Sequence, residues 1–341
     1  MSKTIPKGAD LASGWDVGSL LLGLVAAFLG SLAAAPGCET KTAPPLSIAE
    51  RHDLGENRST FAGLVLDERR DRVWVAFEAS APLVLGRSAE DRPPAPSEPA
   101  LTRGILALPH RDAMLLHAST GELVLEDAGD GRALARRAGL DAGAMAADET
   151  GGRIWVARER GLAALDAETL AARAELTLKK RPLALAVETR GARLFARGLG
   201  GITVVDRAKA AVLESWPLTE PDGDGDTLVL DEPHARLYLA GARLLVLHTQ
   251  DGSRIDAVDL PGRVVNLHHD TRHRRLYAVI EEGRVLTFDI ADPDHPRLTQ
   301  DLELDGIPGA SAWDQRRETL RIAVTDRTSG RRTLLRLPAA D

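Results

Sequence analysis

One short phrase recurs seven times along the chain at near-even spacing: an apolar run, usually an acidic residue, a polar turn, then a second apolar run. It reads Leu64-Val65-Leu66-Asp67 ahead of Val73-Trp74-Val75, and Ala147-Asp148 ahead of Ile154-Trp155-Val156. Glu188 leads to Leu194-Phe195, Asp231 to Leu237-Tyr238 and Asp270 to Leu276-Tyr277. Two degenerate copies complete the set, Leu108 before Met114-Leu115-Leu116 and Asp314 before Leu320-Arg321-Ile322. The second landmark always falls seven residues after the first, and successive first landmarks (67, 108, 148, 188, 231, 270, 314) are 41, 40, 40, 43, 39 and 44 residues apart. A unit that short cannot bury its own apolar face, so neighbouring units must cover one another. A period of about 40 to 45 residues made of short strands predicts an all-β, seven-bladed propeller of four-stranded antiparallel blades.

Within the fourth copy the alternation of apolar and polar residues draws strands at 183–188, 193–196, 202–206 and 211–218. Residues 168–178 and 207–213 are rich in alanine and favour helix by intrinsic propensity. The repeat register overrides that preference and places strands there. After Asp314 only 27 residues remain, so the last copy has three strands (to Trp313, 319–324 and 333–337) and not a fourth, while a strand at 46–49 stands unassigned before the first copy. A ring must pair its open ends. The N-terminal strand is therefore expected to complete the seventh blade.

These landmarks resemble the YVTN-type repeats of bacterial surface-layer-like propellers. The best fit is Pro182 to Glu188, Arg193-Leu194-Phe195 and Val204-Val205-Asp206, and the likeness covers about residues 61 to 341. It implies a fold and leaves function open, because the motif residues of that family are structural.

The first 45 residues read as an address. Lys3 and Lys7 precede an apolar run over residues 17–35, followed by Pro36-Gly37-Cys38 and a Thr/Pro-rich stretch to Pro45. A basic start and a short apolar segment ending in small residues describe an export signal. Cys38 is the sole cysteine, and its place after that segment resembles a bacterial lipoprotein signal. The resemblance implies lipidation at Cys38, with residues 1–37 as signal or anchor, 38–45 as tether and 46–341 as propeller. Cleavage after Ala35 and an uncut membrane anchor are the alternatives. Each exports the remainder of the chain.

Composition narrows the partners. A net charge of −7 with charged residues at 27% argues against a non-specific nucleic-acid binder, which needs clustered positive charge. A single cysteine rules out an internal disulfide and multi-cysteine metal centres. No nucleophile elbow, phosphate loop or His-Glu-x-x-His signature is present. Gly198, Gly200 and Gly201 lie between two strands without dinucleotide-binding spacing and read as a turn.

Asp222, Asp224 and Asp226 alternate with glycine and are the best candidate for a hard cation such as calcium, but Thr227 and Pro233 break an EF-type loop and a solvated turn is the favoured reading. His268 and His269 end the first strand of the sixth copy and are candidate channel ligands or bases, but no second copy offers a ligand at that position, which favours channel-lining or satisfied histidines. Trp74, Trp155, Phe195, Tyr238 and Tyr277 share one repeat position and are expected in the core, which leaves Trp216 and Trp313 as candidate exposed platforms. The Pro-rich stretch 86–100 is the one long insertion.

The expected working surface is the ring face built from loops entering each first strand and loops joining second to third. Those loops carry Lys179, Lys180, Arg181, Asp222, Arg263 and Asp305, with Arg181 and Arg263 beside the channel. Mixed charge there suits a protein partner in the cell envelope, reached by a membrane-anchored platform without catalysis. The alternative is a lactonase-like hydrolase or the structural subunit of a periplasmic dehydrogenase, both known on this architecture.

Overall fold

The computed structural model describes residues 45–55, 60–78, 80–86, 102–218 and 227–339. They form seven antiparallel sheets. Six have four strands, and blade one shows three within the described residues (Phe61–Asp67, Arg72–Phe77, Ser80–Leu85). The first strands of blades two to seven are Thr102–Leu108, Met145–Asp148, Pro182–Val187, Thr227–Asp231, Val264–Asp270 and Ile307–Asp314. Each first strand packs against its counterpart in the next blade, and the seventh returns to the first. The circle is closed.

The N-terminal segment closes blade seven, with a shift from the expected place. The pairing strand is Glu50–Gly55, with Glu50 opposite Arg336 and His52 opposite Leu334. Residues 46–49 contribute only the Ala49 N–H, which bonds the Arg336 carbonyl at 2.9 Å. Leu46 is instead an apolar plug between blades six and seven, clamped to the Gln300 amide by two hydrogen bonds of 2.8 and 2.7 Å. The physical reason is solvent: the outermost strand of a blade is exposed, so its sequence is polar. Glu50 pairs with Arg336 and Asp53 with Arg331 across that edge.

Apolar packing divides into seven clusters among the described residues, one for each junction between neighbouring blades. Trp74, Trp155, Phe195, Tyr238 and Tyr277 are all fully buried there, as their shared repeat position predicts. The alanine-rich segments are strand: Ala172–Thr177 and Ala211–Pro217 pair with their blades' third strands. Tertiary pairing overrides helix propensity, which is worth only tenths of a kcal/mol per residue.

The repeated acids are buried at the turn between first and second strands, Asp67, Asp148, Glu188, Asp231, Asp270 and Asp314 all lying at 6% exposure or less. Burying a carboxylate is costly unless turn N–H groups and a cation satisfy it. Asp148 accepts from the Gly151 N–H at 2.8 Å, and Asp314 from the N–H groups of Arg316 and Arg317 at 3.1 and 2.9 Å.

Polar contacts on this face then run from blade to blade without a gap. Arg317 reaches Asp71, Arg70 reaches Asp112, and His110 reaches Glu149. Arg207 reaches Asp148, and Glu232 accepts from the backbone of Thr189, Arg190 and Gly191. Arg274 reaches Asp231, and Gln315 reaches Asp270. A second recurring device is an arginine opening the second strand. Arg72, Arg153 and Arg193 each donate to a carbonyl in the next blade's turn between third and fourth strands. The face is thereby committed to holding the ring together.

Candidate functional site

With one face occupied by structural bonding, the opposite face carries the free loops. A depression on it lies where blade three hands over to blade four. The loop entering blade four is Leu178-Lys179-Lys180-Arg181, and the loop joining its second and third strands is Gly198-Leu199-Gly200-Gly201. Between them lies a groove of about 440 Å³. Leu178, Ala196, Ile202 and Trp216 form its buried floor, while Leu199 and Val212 stand 62% and 44% exposed on its rim.

Local chemistry explains the shape. Gly200 has φ of +79°, a conformation that L side chains rarely adopt. A Cβ on Gly201 would sit 2.4 Å from the Trp216 carbonyl oxygen, so only glycine lets the outer strand approach the loop. Trp216 packs on Phe195 with ring centroids 5.7 Å apart, and its indole N–H donates to the Glu214 carboxylate at 2.8 Å. Lys180 lies over the loop, its Nζ 3.0 Å from where a Gly200 Cβ would be.

The pseudo-repeat supplies an internal comparison. The corresponding groove one blade earlier, of about 380 Å³, is lined by Asp141, Arg158, Glu159, Arg160 and Glu175. Its loop is Arg158-Glu159-Arg160-Gly161 where blade four has Gly-Leu-Gly-Gly. The apolar character is thus a property of this blade and not of the fold.

The residues singled out from sequence do not converge. Arg181 belongs to the same loop but turns to the preceding blade, with its guanidinium 3.9 Å from Asp141. Arg263 lines the channel mouth with Leu183, Thr227, Val264, Val265 and Glu281 around a space of about 340 Å³. His268 lies deeper in the channel, half-buried, with Nε2 2.7 Å from the Ser311 hydroxyl of blade seven. Desolvation pushes its imidazole down to about 4. His269 points the other way, its ring 6.5 Å from that of Tyr238 in blade five, and burial lowers it too. Neighbouring residues of a strand face opposite sides, so the two histidines enter different junctions. Asp305 is an exposed partner of Arg51 at 2.6 Å.

Trp216 and Trp313 are not exposed platforms. Trp216 is 7% exposed beneath the groove. Trp313 is half-buried against Tyr277, centroids 4.7 Å apart, with its N–H on Gln315 at 3.0 Å. Each fills a blade junction, which the apolar pattern of its own strand did not register. Among the described residues no group of three His, Cys, Asp or Glu side chains is placed to hold a metal ion. Asp222, Asp224, Asp226 and Cys38 lie outside the described residues, as do positions 87–100 of the Pro-rich insertion.

In the sequence, the glycines around Leu199 hide it as a turn residue. The available signal was an apolar residue set between glycines at a position that is charged in the neighbouring copy.

No protein-family model and no curated protein matches the chain. Solved structures do. The WD40 repeats of RRP9 superpose with a TM-score of 0.70 at 10% identity, over 86% of this chain and all of that one. A chain of a mitotic checkpoint complex gives 0.73 at 12% identity, over 100% and 99%. The U3-55K structure gives 0.70 at 10% identity, over 85% and 99%. At such identities the likeness is one of fold: this chain is a seven-bladed propeller, and WD40 repeats are among the structures it resembles.

Proposed function

We propose that the chain is an exported, envelope-associated propeller that acts as a non-catalytic platform for a protein partner, held on the face opposite the ion-paired turns. The observation that carries this reading is the apolar groove of blade four, with Leu199 62% exposed on its rim. A large side chain left in water beside a formed depression marks a recognition surface. One structural neighbour comes from the mitotic checkpoint complex, an assembly of proteins, which supports the same class of role. Export and anchoring rest on the N-terminal segment and Cys38.

Two experiments test it. A photo-crosslinking residue at Leu199 should capture a protein in the native envelope, while the same group at Asp130, on the ion-paired face, should not. Capture from Asp130 alone would reverse the assignment of faces. Cys38→Ala should move the protein from membrane to soluble fractions; unchanged membrane association removes lipidation from the reading.

A further inference from the structure

We infer that the groove of blade four takes an extended polypeptide segment that pairs a bulky apolar residue with acidic neighbours. This rests on the platform reading and names the chemistry of its partner. The apolar half follows from the groove itself, whose floor is Leu178, Ile202 and Trp216 and whose volume of about 440 Å³ accommodates large side chains. The acidic half follows from Lys179 and Lys180, which line the same groove and are exposed. Neither has an acidic partner among the described residues, although ion pairs elsewhere engage many of the arginines. Two adjacent cations without an acidic partner among the described residues, on a chain of net charge −7, offer positive charge beside an apolar floor.

A protein segment fits this better than an anionic membrane. The feature is concave, and two ammonium groups fall short of the four to eight basic residues of about the size that lipid attachment uses. The groove is also bordered by the outer strand Ala211–Pro217, whose Val212 and Leu213 are 44% and 51% exposed. An extended segment lying along that strand meets apolar surface before reaching the lysines.

The test uses the full chain in detergent, probed with an array of peptides that combine leucine, phenylalanine or tryptophan with acidic, neutral or basic neighbours. Selected peptides should be acidic and apolar together. Lys179→Glu with Lys180→Glu should weaken them about tenfold, with a reduced salt dependence. Leu199→Glu should abolish binding, and Leu134→Glu, at a leucine outside the groove, should leave it unchanged. All these positions are exposed, so an unaltered melting temperature shows that the variants fold. No selection, selection of basic peptides, or insensitivity to the groove variants overturns the inference. So does binding to phosphatidylglycerol vesicles lost in the same variants, which would assign the groove to lipid. Should crosslinks arise from other loops of this face while the array fails, the platform stands and the groove falls.

Discussion

Arg70 of blade one and Asp112 of blade two are joined by two parallel hydrogen bonds, from Nη1 and Nη2 to the two carboxylate oxygens, at 2.5 and 2.6 Å. The same guanidinium reaches buried Asp67 at 3.3 Å, so one cation serves two blades. Its hydrogen bonds hold the Asp112 carboxyl below the usual range. Among the described residues, Trp74, Val84, Met114 and Ala128 form the apolar cluster at this junction.

Arg70→Met should therefore destabilise the ring by about 2–3 kcal/mol, because it strips the cation from a buried carboxylate. Arg70→Lys should recover part of that, since an ammonium cannot make both parallel bonds. Denaturant unfolding checks the order, and equal stability of all three proteins would refute the clamp.

Glu126 should titrate against the fold at this same junction. It is 3% exposed and opposite Met114, at a position held by Leu85, Leu165, Val205, Leu247, Phe288 and Leu337 in the other blades. Desolvation pushes its carboxyl from 4.5 up to about 7. A folded pKa above the unfolded one means stability that is full below about 4.5 and lost as pH rises through about 7. The loss amounts to about 3 kcal/mol. Glu126→Leu should be more stable than the parent at pH 8 and nearly level with it at pH 4, by calorimetry.

The channel histidine should act in the opposite sense. His268 is pushed from 6.5 down to about 4, and burial lowers His117 and His269 as well. A depressed folded pKa gives stability present above about 6.5 and lost as pH falls towards about 4. In the Glu126→Leu background the acid limb should stand alone, and His268→Asn should make it shallower. An unchanged limb would remove His268 as its source.

Gly309 of blade seven should resist substitution more than Gly104 of blade two. A Cβ on Gly309 would lie 2.3 Å from the Phe61 ring, whereas one on Gly104 would lie 3.4 Å from the flexible end of Met145. Gly309→Ala should cost about 1–3 kcal/mol by overpacking, and Gly104→Ala clearly less. Melting temperatures in that order support a channel wall set by close approach; the reverse order would not.

Blade number, the burial of the five aromatic landmarks and closure by the N-terminal segment were legible from spacing alone, because each copy must bury its face against the next and so repeats the residues that do it. The fate of the alanine-rich strands was also readable once register was weighed against propensity. Tertiary structure decided the rest. Glu50–Gly55 closes the ring because an outer strand meets water and needs no apolar pattern, whereas the apolar Leu46 ahead of it packs between blades six and seven. Trp313 and Trp216 are core because neighbouring blades cover them, a relation between segments distant in sequence. Leu199 looks like a turn residue in sequence. Only the folded ring sets it beside Lys179 and Lys180 over an apolar floor, since loops that share a face are brought together by sheets and not by adjacency along the chain.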